Sequence, residues 1–216
     1  VLDLNPKKSM VKFLVDQSFD VYITSWKNPT AEMRDVTFDD YLMEGVGQII
    51  ETARGISGSA KVHAVGYCIG GAAVTAWMAW ANARYGPKEV PVATVTLLTT
   101  LVDYHKPGDI EVFLDESSIK WLEKSMAEKG YLDGKEMASA FRLLRSNSLV
   151  WHYVVRGYLF GEAPPAFDVL FWNMDSTRMP AAMHSWYLRN FYLENLLIKK
   201  RSEERRVGKE CLRLCR

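Results

Sequence analysis

One short turn in the sequence combines the residue types and the spacing of a catalytic site. It reads Gly66-Tyr67-Cys68-Ile69-Gly70-Gly71, so that a cysteine lies two residues after one glycine and two residues before another. Glycines at these positions let a strand and a helix approach each other without Cβ collisions, while the cysteine takes a strained backbone position. The dipole of the following helix favours the thiolate form of such a cysteine. We predict that Cys68 is a nucleophile and that the backbone N–H of Ile69 points at the developing oxyanion.

The spacing of this turn is rare. With 14 Gly and 3 Cys in 216 residues, the pattern Gly-x-Cys-x-Gly is expected by chance roughly 0.01 times in a chain of this composition. The alternative interpretation is a buried structural cysteine beside packing glycines. A predicted strand before the turn and a predicted helix after it favour the catalytic interpretation.

A cysteine nucleophile needs a general base, and the four histidines offer no convincing one. His63 precedes the cysteine on the strand that leads to the turn, so we expect a packed strand residue. Asp103 and His105 follow the next strand and are a tempting acid and base. Two residues apart on one short segment, they can hardly align with a cysteine, and we expect them to mark the start of a cap. His152 and His184 fall in helical patterns among aromatic residues, where we expect partnered interior histidines.

The segments around the turn alternate between strand and helix patterns. In chain order they predict a helix over 10–17, a strand over 19–26, a helix from a capping box at 37–40 to about 54 that Gly55 and Gly58 end, a strand over 61–65, a helix over 72–84 and a strand over 92–101. This alternation with short loops indicates right-handed crossovers and a parallel sheet. The predicted fold class is therefore α/β.

The second half of the chain has mainly helical patterns. Helices are predicted over 119–129, from a capping box at 133–136 through 145, over 149–159 and over 180–197, with a break at 163–165. Of the 26 aromatic residues, 12 lie in 141–192. This concentration is typical of a cap or an interface element, and a second hydrophobic core is the open alternative. We divide the chain into an α/β core part with the turn (1–102), a helical cap (103–198) and a basic tail (199–216).

Charge and composition exclude several classes of function. The chain has 27 Lys and Arg against 26 Asp and Glu, a net charge of +1, which gives no reason to expect nucleic-acid binding. No apolar run approaches the ~18 residues that a membrane span needs. Three cysteines cannot form a disulfide framework, which favours a reducing cytoplasm. The charge is uneven, with net +5 in residues 199–216 and net −4 in the rest.

Both ends of the chain have features that are unusual for natural termini. The chain begins with Val1 rather than Met, in what reads like a strand already in progress. The basic tail holds Cys211 and Cys215, which are too isolated for a metal site. We expect the chain to be a piece of a longer protein and its tail to be foreign or frame-shifted sequence, with a disordered basic tail as the alternative.

Several runs of residues make the sequence similar to a known family. The turn at 66–71 resembles the cysteine form of the nucleophile elbow of α/β-hydrolases. Together with flanking runs between residues 1 and about 198, it resembles the catalytic region of class I polyhydroxyalkanoate synthases, which polymerise (R)-3-hydroxyacyl-CoA into polyester. The flanking runs are Ser25-Trp26-Lys27-Asn28-Pro29, Asp39-Asp40-Tyr41, Leu97-Leu98-Thr99-Thr100-Leu101, Leu149-Val150-Trp151, Phe167-Asp168-Val169-Leu170-Phe171-Trp172-Asn173 and Trp186-Tyr187-Leu188-Arg189.

The resemblance implies an α/β-hydrolase fold with a helical cap insertion and a sheet that is incomplete at both ends. In the family the elbow cysteine carries the acyl chain, which implies this role for Cys68, with Gly66, Gly70 and Gly71 as the elbow glycines. The family's catalytic Asp and His follow the cap and this sequence ends before them, so we expect the chain by itself to be inactive. The resemblance also implies (R)-3-hydroxyacyl-CoA and the polyester chain as partners, no cofactor or metal, a homodimer through the cap, and a cytoplasmic location at the polyester granule surface.

Two other interpretations stay open at this point. A cysteine hydrolase of the dienelactone hydrolase kind also uses a Gly-x-Cys-x-Gly-Gly elbow, although such enzymes are small and essentially without a cap, which the long aromatic block argues against. An inactive scaffold is the second, since no base is visible in the sequence.

Overall fold

The computed structural model describes residues 2–144, 146–163, 168–175 and 177–199. The predicted basic tail, from residue 200 onward and with both of its cysteines, lies outside these residues, as do Arg145 and the two prolines of the predicted break at 163–165. The described elements are, in chain order, α1 (Met10–Asp16), α2 (Phe38–Asp40, Tyr41–Gly47 and Gln48–Ser57 as one continuous helix), β1 (Val62–Tyr67), α3 (Ile69–Tyr85), β2 (Val92–Leu98), α4 (Glu116–Lys129), β3 (Tyr131–Leu132), α5 (Gly134–Leu144), α6 (Asn147–Trp151 and Val154–Leu159), α7 (Asp168–Met174), β4 (Met179–Pro180) and α8 (Ala181–Tyr187, continued by Leu188–Leu193).

A strand–helix–strand unit forms the centre of the predicted α/β part. β1 pairs in parallel with β2, with His63 opposite Thr94 and Tyr67 opposite Leu98. α3 connects the two strands, and its buried positions include small residues such as Gly71, Ala72 and Ala76, which allow the helix backbone to lie close to β1. The parallel pair and its helical connection agree with the predicted α/β class. The described strands do not by themselves establish an α/β-hydrolase fold.

The long helix α2 begins where its capping box predicts. The N–H of Asp40 donates to Thr37 Oγ1 at 3.2 Å, and the N–H of Thr37 donates to Asp40 Oδ2 at 2.6 Å. These reciprocal bonds satisfy donors that the first helical turn leaves free. Gly58 ends the helix in the left-handed conformation (φ 67°), whereas Gly55 lies inside the helix and does not end it.

The middle of α2 widens into π-helical turns over Tyr41–Gly47. Two tryptophans pack against glycines in this segment. A Cβ on Gly45 would lie 2.4 Å from the Trp26 ring, and one on Gly47 would lie 3.0 Å from Trp77 Nε1. The glycines therefore let α2 contact both the segment before it and helix α3.

The predicted strand over 19–26 is wrong. Residues 19–30 form no regular secondary structure. The large side chains of Phe19, Ile23 and Trp26 are exposed, so among the described residues this segment has neither a hydrogen-bonded neighbouring strand nor a sheet face to cover its apolar residues. β-branched and aromatic residues favour a strand only where a neighbouring strand and a covering sheet face are both present.

Helices dominate the second half, as the sequence predicts. Asp115 caps α4 by accepting the backbone N–H groups of Ser117 and Ser118, and Gly130 ends it at φ 81°. At the predicted capping box before α5, Asp133 Oδ1 accepts the N–H of Lys135 at 3.0 Å. A short antiparallel ladder, β3 with β4, follows α4 and was not predicted.

The aromatic block at 141–192 divides into two unlike parts. α8 packs into the same hydrophobic core as α2, α3, β1 and β2, and Phe38 stacks on Trp186 at 5.0 Å between ring centroids. In contrast, Tyr158 on α6 is 91% exposed and Phe171 on α7 is 80% exposed. The block is therefore neither a separate second core nor one uniform surface. The domain boundary at residue 102 stays a prediction.

Candidate active site around Cys68

Cys68 lies in the turn between β1 and α3 with its backbone held and its side chain exposed. Its φ of 53° and ψ of −122° lie in a region that residues with a Cβ rarely adopt. The N–H of Cys68 donates to the Leu98 carbonyl at 2.9 Å, and the Cys68 carbonyl accepts from Gly71 N–H at 2.9 Å. Bonds on both sides fix the strained backbone, and the thiol is a free, exposed group.

The glycines of the turn differ in what surrounds them. A Cβ on Gly66 would lie 2.5 Å from the Gly71 Cα atom, and one on Gly71 would lie 1.9 Å from Thr100 Oγ1. Nothing lies within 4 Å of a Cβ built on Gly70. The close approach expected at Gly66 and Gly70 therefore occurs at Gly66 and Gly71. No local pattern in the sequence indicates that Thr100 is the neighbour that requires the second glycine.

The start of α3 presents backbone donors next to the nucleophile. Ile69 is the first residue of α3 and Gly70 the second. N–H groups in the first turn of a helix have no acceptor within that helix. The Ile69 side chain packs against the core, which holds its backbone in place. This placement is compatible with the predicted oxyanion donor, and that role stays a prediction.

Three tyrosines form a cluster near Cys68 that the sequence did not predict. The hydroxyls of Tyr104 and Tyr187 are 3.2 Å apart, and the rings of Tyr104 and Tyr192 pack at 4.7 Å between centroids. Burial raises the pKa of Tyr104 to about 12, and the charge of nearby Cys68 adds to the rise. Burial also raises the pKa of Tyr192, again with a contribution from Cys68. In the sequence, Tyr187 and Tyr192 fall in the aromatic block at 141–192, whereas Tyr104 lies outside it.

Comparison with known proteins identifies the family. No protein-family model matches the chain. Over 199 residues, 92% of its length, the chain is 48% identical to the poly(3-hydroxyalkanoate) polymerase of Methylorubrum extorquens and 46% identical to the polymerase subunit of Rhizobium meliloti. It is 44% identical over 202 residues to the polymerase subunit of Cupriavidus necator. The chain is a homologue of poly(3-hydroxyalkanoate) polymerases.

These polymerases are longer proteins. The chain spans about a third of the length of the curated relatives it matches, 32% for Methylorubrum extorquens and 34% for Cupriavidus necator. The similarity to polyhydroxyalkanoate synthases that the elbow and its flanking runs predict is confirmed by these matches.

In this polymerase homologue, Asp103 and His105 do not form an acid–base pair with Cys68. The Asp103 carboxylate accepts the Asn195 amide at 2.7 Å and the backbone N–H of His105 at 2.9 Å. The hydrogen bond from Asn195 holds the pKa of Asp103 below its ordinary value. Asn195 Oδ1 also accepts the N–H of Tyr104 at 3.0 Å. Asp103 therefore joins the segment after β2 to the end of α8.

The other histidines do not supply a base either. His63 is exposed on β1, with Nδ1 at 2.7 Å from Thr94 Oγ1 across the ladder, so it is a strand residue but not a packed one. His152 is exposed, which makes the predicted interior position wrong. His184 is interior, but its Nδ1 has no hydrogen-bond partner among the described residues, and burial lowers its pKa to about 4. In the described part of the chain, none of the four histidines is hydrogen-bonded to Cys68.

Within the described ranges, no three His, Cys, Asp or Glu side chains lie close enough together to hold a metal ion. No helix among these residues combines the length and the apolar character needed to cross a membrane.

Proposed function

We propose that Cys68 is the acyl-carrying nucleophile of a poly(3-hydroxyalkanoate) polymerase, which joins (R)-3-hydroxyacyl groups from CoA thioesters into a polyester. One observation carries the proposal: in a chain 48% identical to such a polymerase, an exposed cysteine sits at a strained strand-to-helix turn. The backbone conformation of Cys68 leaves the thiol exposed between the strand and the helix. A thioester carbonyl can therefore reach it.

The first step is acylation of Cys68. The thiolate sulfur bonds to the thioester carbonyl carbon, and the negative charge moves to the carbonyl oxygen, where the Ile69 N–H stabilises it. The carbon–sulfur bond to CoA then breaks. The CoA thiolate takes up the proton that the Cys68 thiol lost, and CoA leaves as a thiol. Exchange of one thioester for another is nearly isoenergetic, so the acyl group on Cys68 stays activated.

The second step is chain growth. The oxygen of a 3-hydroxyl attacks the carbonyl carbon of an acyl thioester, an ester bond forms, and the thiol is released with the hydroxyl proton. The resemblance assigns deprotonation to an Asp and a His that come later in the family's sequence than the positions this chain matches. No described histidine of this chain takes part.

The wider setting of the enzyme is also part of the proposal. The family resemblance favours a homodimer through the helical region 103–198 and a cytoplasmic enzyme on the surface of polyester granules. Exposed aromatic side chains on α6 and α7, such as Tyr158 and Phe171, support a contact role for this region because large exposed apolar patches mark interaction sites.

The test uses a full-length polymerase that carries this sequence, incubated with 3-hydroxybutyryl-CoA. We expect CoA release and polymer from the wild type and neither from Cys68→Ala, with an unchanged melting temperature. Tyr85→Phe, at the last residue of α3 and 47% exposed, serves as a control with normal release. Retained CoA release in Cys68→Ala would contradict the assignment. Free 3-hydroxybutyrate without polymer would contradict polymerisation.

A further inference from the structure

The tyrosine cluster lies at the edge of the sheet where Cys68 lies. Because β1 and β2 are parallel, their carboxyl ends meet at one edge. Cys68 directly follows β1 and is hydrogen-bonded to the last residue of β2, Leu98. Tyr104 follows β2 by six residues, and α8 brings Tyr187 and Tyr192 against it, with the Tyr187 and Tyr192 rings 5.4 Å apart.

The three tyrosines differ in how far a substrate can reach them. Tyr187 is hydrogen-bonded to Tyr104 at 3.2 Å, and both rings pack against the Tyr192 ring. Tyr104 is only 2% exposed and Tyr187 8%, whereas Tyr192 is half-buried. A phenol hydroxyl has one donor hydrogen and can also accept. The hydroxyl of the cluster that a substrate can reach is therefore that of Tyr192.

Asn195 holds this cluster in position. The side-chain N–H of Asn195 donates to the Asp103 carboxylate, and its side-chain oxygen accepts the backbone N–H of Tyr104. These two hydrogen bonds fix the segment after β2 against the end of α8. Asn195 has a φ of 48°, a left-handed conformation that asparagine tolerates better than most residues. Because it is three residues after Tyr192, the same contact limits movement of Tyr192 relative to Cys68.

The chemistry of the cluster suits a neutral partner. Burial raises the pKa values of all three tyrosines, so they are uncharged phenols at neutral pH and act through hydrogen bonds rather than as bases. The proposed function already assigns the carbonyl oxygen to the Ile69 N–H at the start of α3. A phenol that can both donate and accept matches a substrate hydroxyl, which also does both.

We propose that the Tyr192 hydroxyl hydrogen-bonds the 3-hydroxyl of the acyl group bound at Cys68, and that Tyr187 and Tyr104 position it. Tyr192 is then a specificity-determining residue, which selects acyl groups that carry a hydroxyl over those that lack one. This inference rests on the proposed function of Cys68.

The test compares two substrates in the same full-length polymerase. Single-turnover CoA release is measured with 3-hydroxybutyryl-CoA and with butyryl-CoA, which lacks the hydroxyl. In Tyr192→Phe we expect the rate with 3-hydroxybutyryl-CoA to fall about tenfold, the effect of one lost hydrogen bond, and the rate with butyryl-CoA to stay within about twofold. Tyr187→Phe should give a smaller loss with the same selectivity, and the exposed Tyr85→Phe no loss.

The ratio of the two rates separates the outcomes. It does not depend on how much of a variant is folded, because both substrates meet the same preparation. Equal losses with both substrates, or no loss with either, would overturn the role of Tyr192 while leaving Cys68 as the nucleophile. A wild-type enzyme that releases no CoA from either substrate would overturn the proposed function, and this inference with it.

Discussion

Cys68 adopts a backbone conformation that costs a residue with a Cβ of the order of 1–3 kcal/mol. Its neighbours must therefore hold it, and the contacts that do so are specific. The Leu98 carbonyl fixes its N–H, and the contact of Gly71 with Thr100 keeps the start of α3 close to the segment after β2. Gly70 lies between these contacts, and its Cα–H faces open space.

Alanine substitutions of Gly70 and Gly71 test which of the two glycines is sterically required. Gly71→Ala places a Cβ onto Thr100, so we expect the free energy of unfolding to fall by about 2 kcal/mol or more. Gly70→Ala meets no atom and should leave stability unchanged or slightly higher, since alanine favours a helix. Urea denaturation of the chain followed by circular dichroism measures both. Equal destabilisation by the two substitutions would contradict the geometry of the turn.

Among the elements, the joint between α2 and α8 ties the two halves of the chain together. Phe38, at the first turn of α2, is 1% exposed. Its ring stacks on Trp186 and meets Phe191 edge to face at 5.2 Å. α8 is in turn fixed to α4, because Arg189 donates to both Glu116 and Glu123. The tyrosine cluster near Cys68 depends on this placement of α8.

A conservative substitution tests the α2–α8 joint. Phe38→Leu keeps an apolar side chain but removes the ring contacts, and we expect a loss of roughly 1 to 2 kcal/mol in the free energy of unfolding. The same change at the 80% exposed Phe171 on α7 is the matched control and should cost little. If both variants melt at the wild-type temperature, Phe38 does not join the two helices.

Elements also differ in how far the sequence determines them. The start of α2 was predictable because caps are local: the Thr37 side chain bonds to backbone three residues away. The start of α4 was predicted at residue 119 rather than at Glu116, because the Asp115 cap was not recognised. The strand over 19–26 was not predictable, because a strand exists only through a partner elsewhere in the chain. The π-helical widening of α2 was missed for a similar reason, since it lies where Trp26 and Trp77 pack.

At the scale of the whole molecule, one buried histidine makes the stability of the fold depend on pH. His184 lies on α8 in the interior, and burial lowers its pKa to about 4 from an ordinary value of 6.5. Between these two values the unfolded chain binds a proton that the folded chain does not. Stability is therefore fully present above about pH 6.5 and decreases as the pH falls toward 4.

We expect His184 to lower the free energy of unfolding by roughly 3 kcal/mol as the pH falls from 6.5 to about 4. Urea denaturation at pH 7, 5.5 and 4 should show the wild type losing that much more stability than His184→Gln. The difference between the two proteins removes the effect of the carboxyl groups, which titrate in both. His152→Gln, at an exposed position, should follow the wild type. Parallel pH profiles for the wild type and His184→Gln would mean that His184 is accessible to protons in the folded state.

The sequence by itself determined the nucleophile turn, the capped helices, the strand–helix–strand order and the family, because each depends on residues close together in the chain or on a local pattern. Only the tertiary structure decided which glycine is sterically required, since that depends on Thr100. It also decided that α8 joins the main core while α6 and α7 stay exposed. The tyrosine cluster at the Cys68 edge of the sheet belongs to this second group. The contact of Tyr104 with Tyr187 and Tyr192 joins residues more than 80 positions apart, and no local pattern encodes it.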